Sequence, residues 1–184
     1  MACTVNLQNL NISYACGDIF TGGLKAVYLA DRADVLANAG VTLGADDEVS
    51  FTGDFSVSGV TVVELGFNNK DGFSNFTDVK TVNADGSSSA VPTIQMEFAR
   101  MDLDKRTALD EIAKGGAEMV AFIETAAGTY HMVGYQFGLY ASSVDGASGT
   151  ARTDKNRYQV TLTGEENSLA YIIDGATEFA KVGA

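Results

Sequence analysis

The sequence predicts a mainly β protein: a sandwich or barrel with one α-helix packed on the sheet and long projecting loops. Three observations carry this expectation. RYQVTLTG, residues 157–164, sets Tyr158, Val160 and Leu162 on one side and Gln159, Thr161 and Thr163 on the other, as a strand with one buried and one polar face requires. Runs rich in Val, Phe, Tyr and Thr recur from Leu24 onward, and such residues favour strands. Helical spacing of apolar residues is sustained in one segment only, near residues 103–114.

The first strand expected is LKAVYL, Leu24 to Leu29, entered through Gly22-Gly23. DRADVLANAGVTLGADDE reads either as a short helical turn or as an irregular connection. EVSFTGDFSVSGVTVVELGF is expected to form two strands of a hairpin. Residues 68–92 carry the turn dipeptides Asp71-Gly72 and Asp85-Gly86, and the region of about 66–91 is expected as a long loop. The apolar Phe73, Phe76, Val79 and Val82 scattered through it suggest that it packs against something, a plain surface hairpin being the alternative. PTIQMEFARM resumes strand character. A helix follows from Leu103 to Lys114, capped by Asp102 or Asp104 and stopped at Gly115-Gly116. Met101, Lys105, Ala108, Leu109, Ile112 and Ala113 share one of its faces.

EMVAFIET is the next strand. TYHMVGYQFGLY reads as a longer one, with His131, Val133, Tyr135, Phe137 and Leu139 on one side. On its other side Gly134 and Gly138 would admit a neighbouring backbone. A second long loop, about 141–157, leads into RYQVTLTG, and SLAYIID supplies a last short strand. With 184 residues, the whole chain, 1–184, is expected to be a single β-rich structural domain.

Charge narrows the partners. Twelve basic against 24 acidic side chains leave a net charge of −12, spread along the chain, so tight wrapping of DNA is disfavoured. The opening MACTVNLQNLNISYACGD lacks the basic start and continuous apolar core of a signal peptide, and no stretch approaches membrane-spanning length. Synthesis and retention in a cytoplasm, or exit from it by lysis, is the expectation. Cys3 and Cys16, with the single His131, cannot complete a four-ligand zinc site within one subunit. Reduced thiols are expected, a disulfide being the alternative in oxidising surroundings.

No catalytic constellation stands out. His131 alternates with Val133 and Tyr135 and reads as a structural histidine. VDGASG lacks the Lys-Ser/Thr ending and following helix of a phosphate loop, and Asn68-Asn69-Lys70-Asp71-Gly72 lacks the acidic ligands of a calcium loop. No enzyme activity, cofactor or metal is expected.

The final third carries a resemblance. An Asp/Gly/Ser/Thr-rich loop leads into Arg157-Tyr158-Gln159-Val160-Thr161-Leu162-Thr163-Gly164-Glu165. This resembles the C-terminal part of tail tube and related virion structural proteins of tailed bacteriophages, where a long loop precedes a strand of the "GYTLTFTGxE" kind. Cys3, Cys16 and GGLKAVYLA are similar to the opening of such proteins from phages of Bacteroidetes-type hosts. The resemblance covers about a third of the residues, in two blocks. Asn156-Arg157 stands where the pattern has Gly before Tyr, and the middle region, 66–100, has no counterpart.

The resemblance implies a structural subunit that self-assembles into rings, usually hexameric, which stack with other tail proteins into a DNA-ejection conduit of the virion. DNA would pass through the lumen without specific binding, past a wall whose negative charge repels phosphate. No membrane is involved. The two long loops would bridge subunits, ordering as they bind. Inter-subunit contact candidates are Asp71, Phe73, Phe76, Val79, Asp145, Arg152, Lys155 and Arg157, with Lys155 and Arg157 reaching a neighbour's carboxylates or standing as solvated charges. Alternatives are a capsid decoration or tail-completion protein, or a carbohydrate-binding, adhesin-like β-sandwich. The absence of Trp weighs against the last.

Overall fold

A computed structural model describes residues 22–183 apart from 45–46, 69–72, 115 and 152. Its strands are β1 Leu24–Asp31, β2 Val41–Leu43, β3 Glu48–Phe51, β4 Val62–Glu64, β5 Asn75–Val82, β6 Ser88–Ala99, β7 Met119–Thr125, β8 Tyr130–Val133, β9 Leu139–Ala147, β10 Arg157–Gly164 and β11 Tyr171–Ile173. Its helices are α1 Arg32–Asn38, α2 Phe55–Ser58, α3 Leu103–Ala113 and α4 Gly175–Ala180. The chain is mainly β.

The strands form two ribbons. One runs β4-β1-β7-β8-β11-β3-β2 and the other β9-β10-β6-β5. They join where Met119 of β7 faces Leu139 of β9. Every pairing is antiparallel except that of β11 with β3.

The hub is β7. Its MVAFI run is buried on both faces, which is why it reads as continuous apolar sequence and not as an alternation. Met119, Ala121 and Ile123 enter a first core with Val27 and Leu29 of β1, Ile94, Met96 and Phe98 of β6, and Val160 and Leu162 of β10. Val120 and Phe122 enter a second core on the opposite side, with Val35 of α1, Phe55 of α2, Ile173 of β11 and Phe179 of α4. There Phe51, Phe55 and Phe122 meet edge to face, with ring centroids 5.0 to 5.9 Å apart, worth about 0.5–1.5 kcal/mol per pair beyond burial.

Several expectations hold. Asp102 caps α3, its carboxylate accepting from Lys105 N at 3.0 Å. Tyr158, Val160 and Leu162 of β10 turn toward the first core, LKAVYL lies within β1, and EMVAFIET and SLAYIID contain β7 and β11. The ambiguous segment after β1 is α1, because Asp31 caps it by accepting from Ala33 N at 2.8 Å.

Others are corrected. There are four helices among the described residues, not one. Of the α3 face expected on the sheet, Leu109 is buried and Ile112 partly so, while Ala108 and Ala113 are exposed. Beyond α3, Lys114 is extended (φ −67°, ψ 106°), Gly115 lies outside the described residues, and Gly116 takes a φ of +110°. β3 and β4 do not pair with each other: α2 separates them, and their partners are β2 and β11 for one and β1 for the other.

TYHMVGYQFGLY is not one strand. Gly134 and Gly138 take φ of +83° and +85°, and a turn between them separates β8 from β9. A Cβ at Gly134 would lie 2.6 Å from Met119 O, so the close approach is real but serves a turn. Nearly half of each expected loop, 66–91 and 141–157, is strand. The first holds β5, the turn 83–87 and the start of β6, and the second holds most of β9 and a shorter tip, 148–156.

Candidate assembly surface

The ribbon β9-β10-β6-β5 turns its apolar side chains inward, so its other face is polar. Thr93, Gln95 and Glu97 of β6 stand on it, opposite Thr163, Thr161 and Gln159 of β10 and beside Thr77 and Asn75 of β5. Asp145 of β9, opposite Gln159, extends the face and is exposed.

One carboxylate on this face is buried. Glu97 is 1% exposed. Its Oε2 accepts from Arg157 Nη1 at 2.6 Å, and its Oε1 accepts from Asn68 Nδ2 at 3.2 Å and Lys155 Nζ at 3.5 Å. Main-chain contacts complete the enclosure: Asn68 N donates to Glu97 O at 2.7 Å, and Glu97 N to Ser74 Oγ at 3.2 Å. The Phe73 ring lies 5.9 Å from the Arg157 guanidinium, within cation–π range. Burial alone would push the Glu97 carboxyl up. The Asn68 amide and the Arg157 and Lys155 charges outweigh that penalty and hold it below its ordinary range.

The predicted contact candidates therefore divide. Lys155 and Arg157, expected to reach a neighbouring subunit or solvent, meet a carboxylate of their own chain. Phe73 supports them. Phe76 faces inward and is half-buried, packing on the first core with its ring 5.7 Å from that of His131. Val79 is 58% exposed, directly opposite the exposed Val91 of β6. Asp71 and Arg152, like Cys3 and Cys16, lie outside the described residues.

Both hairpin tips carry internal hydrogen bonds. Asp85 Oδ1 accepts from Ser87 N and Ser87 Oγ at 2.9 and 2.6 Å. In the other tip Asp154 Oδ2 accepts from Thr150 N, Thr150 Oγ1 and Ala151 N at 2.7 to 2.9 Å. The backbone donors at Ala151 and Thr150, with the Thr150 hydroxyl, hold the Asp154 carboxyl below its usual range.

The β5–β6 hairpin leaves the body. β10 accompanies β6 only from Thr93 to Ala99. Ser88–Pro92 continue with β5 alone, steadied by the exchange of backbone bonds between Ala90 and Glu166 at 2.7 and 2.8 Å and by Asp78 Oδ2, which accepts from Ala170 N at 2.6 Å. The hairpin exposes Val79 and Val91 beside that anchor and Val82 beyond it.

Glu166 also holds the 134–138 turn. Its carboxylate is buried, and each oxygen accepts from Gln136 N at 3.3 Å. From the other side Arg32 donates to Tyr135 O at 3.0 Å and to Gln136 O. Burial pushes the Glu166 carboxyl above its ordinary range, and the backbone donors and Arg32 only partly offset it.

Among the described residues no group of three His, Cys, Asp or Glu side chains could hold a metal ion. None of their helices is long and apolar enough to cross a membrane. His131 is half-buried, its Nε2 3.2 Å from Thr129 Oγ1.

Sequence reasoning missed Glu97 and Glu166. Glu97 stands in the polar phase of TIQMEFA, where a solvated carboxylate is unremarkable, and its cations come 58 and 60 residues later.

No family model, no curated protein and no solved structure matches this chain.

Proposed function

We propose that this chain is a structural subunit of a phage virion, a tail tube protein that self-assembles into stacked rings forming a conduit for DNA. The observation that carries the reading is the β5–β6 hairpin, which extends past β10 and exposes Val79, Val82 and Val91, with β5 paired only to β6 among the described residues. An apolar edge is a template for another chain. A hairpin given by one copy to a different surface of the next is a heterologous contact, which closes into rings or propagates along an axis.

Two further features support it. The polar face of β9-β10-β6-β5 holds its buried charge already neutralised, so it offers DNA no cluster of free cations. The net charge of −12 suits a wall that phosphate slides past. Assembly would take place in the host cytoplasm, with other tail proteins as partners.

Negative-stain electron microscopy across a concentration series, with solution mass measured alongside, tests the reading. Hollow tubes or stacked rings are expected. A monomer at every concentration would count against a tube and favour a capsid decoration protein, which needs a lattice to bind.

A further inference from the structure

β5 is the outer strand of its ribbon, with β6 as its one strand partner among the described residues. Which of its backbone groups are open follows from β6. Ala90 exchanges both of its backbone bonds with Glu166, and Pro92 O accepts from Thr163 Oγ1, so both residues turn their polar groups away from β5. Antiparallel strands bond at alternate positions. Lys80 and Asp78, which face Ala90 and Pro92, therefore aim their N–H and C=O at the open edge, as do Phe76 and Val82 in the same phase.

That phase reads Phe76-x-Asp78-x-Lys80-x-Val82, which is complementary to its own reverse about Val79. Two β5 strands run antiparallel about a two-fold axis at Val79 set Asp78 opposite Lys80 of the second copy, and Phe76 opposite Val82 of the second copy. These are the pairs in which the open N–H and C=O groups meet. The neighbouring registers that keep those groups in phase centre on Asp78 or on Lys80, and so set like charges opposite each other. Opposite charges across a strand pair stabilise it and like charges directly opposite destabilise it, so charge selects the register. In the other phase Val79 meets Val79 of the second copy, and on each side the apolar contact continues into Val91 of β6. Val79 and Val82, 58% and 71% exposed, are covered together.

We infer that the free chain pairs with a second copy of itself through β5, antiparallel and centred on Val79. The contact is isologous and closes on itself. It goes beyond the tube reading, which gives the same hairpin to a different surface of a neighbour: the pair is the form of the chain outside the tube, and it opens when the hairpin is handed on. Until then it covers an edge that would otherwise template indiscriminate pairing.

Cysteine cross-linking tests the register, and charge reversal tests the contact. Val79→Cys brings the two substituted positions together across the axis, within the Cα separation of about 4.4–6.8 Å that a disulfide spans. Mild oxidation should therefore give a dimer that peptide mass spectrometry locates at position 79. Thr81→Cys should not link to itself, but should link when mixed with Thr77→Cys. Lys80→Glu, at an exposed position, should keep the wild-type melting temperature and raise the dimer dissociation constant, read by sedimentation, about tenfold. Thr81→Cys protein that links to itself as readily as Val79→Cys overturns the inference, as does Lys80→Glu protein that dimerises like wild type. A wild-type chain that stays monomeric up to the concentration at which rings appear also overturns it, while the tube reading stands. Dimers at every concentration, with no tubes, keep the pairing and remove the tube reading.

Discussion

Glu97 and Glu166 are buried almost alike, at 1% and 5% exposure, yet their carboxyls shift in opposite directions. Glu97 is answered by two cations and an amide and is held low. Glu166 is answered mainly by backbone N–H groups of the 134–138 turn, with Arg32 acting from a distance, and is pushed up. Burial penalises charge at both. What differs is whether a full opposite charge touches the carboxylate. The Glu97 site binds segments distant in sequence to the polar face, whereas the Glu166 site shapes one turn and anchors one hairpin.

The largest expected effect comes from removing the Glu97 charge. Glu97→Gln leaves Arg157 and Lys155 facing a neutral amide. Breaking a buried pair costs about 3–5 kcal/mol. Here the cations are 31% and 42% exposed and water recovers part of that, so a loss of about 2–3 kcal/mol is expected in urea unfolding. The pH dependence follows from the sign of the shift. Because the folded pKa is depressed, the contribution is complete above the unfolded carboxyl value of about 4.3 and is lost as pH falls through the folded value. A variant within 0.5 kcal/mol of wild type, by the scatter of ordinary surface substitutions, would remove the distinction between the two sites.

How much of this was legible in the sequence depends on how local each cause is. β10 and β7 were visible because alternation and continuous apolarity are written within the strand itself. The Asp102 cap was visible because donor and acceptor lie three residues apart. TYHMVGYQFGLY misled because the 134–138 turn preserves strand parity, and only the four-residue spacing of Gly134 and Gly138 marked it. β3 and β4 were read as partners because proximity in sequence favours a hairpin. The parallel pairing of β3 with β11, more than 120 residues apart in register, has no local signature. The candidate surface suffered most. Lys155 and Arg157 were recognisable as notable cations, but nothing near them in sequence announced Glu97.

Glu166→Gln should cost much less, about 1 kcal/mol or below, since a neutral side chain still accepts from the turn's N–H groups. Its pH dependence runs the other way. A raised folded pKa means that the contribution is complete below the unfolded value and is lost as pH rises through the folded value. Wild type should therefore lose stability relative to the glutamine variant as pH climbs from about 4.3 toward neutrality. Urea midpoints measured across that range for both proteins decide the matter, and parallel curves would mean that burial does not dominate at Glu166.

His131 sharpens the comparison as a case with no close partner on one side. Its Nδ1 and the Oδ1 of Asp78 are both buried without a hydrogen bond. Burial lowers the imidazole pKa, and the Asp78 charge, the group facing it from β5, pulls it back only in part. The depressed value means that its contribution is complete above the unfolded pKa of about 6.5 and is lost as pH falls through it toward the folded value. As the only histidine in the chain, it gives a single NMR titration. Asp78→Asn should move that titration further down by removing the attraction. Phe76→Ala should move it up, toward the ordinary value, by admitting water where the ring now lies 5.7 Å away. If Asp78→Asn instead raises it, the carboxylate acts by displacing water and not by charge. The rule drawn from the two glutamates, that contact with an opposite charge decides the direction, would then apply only where the charges touch.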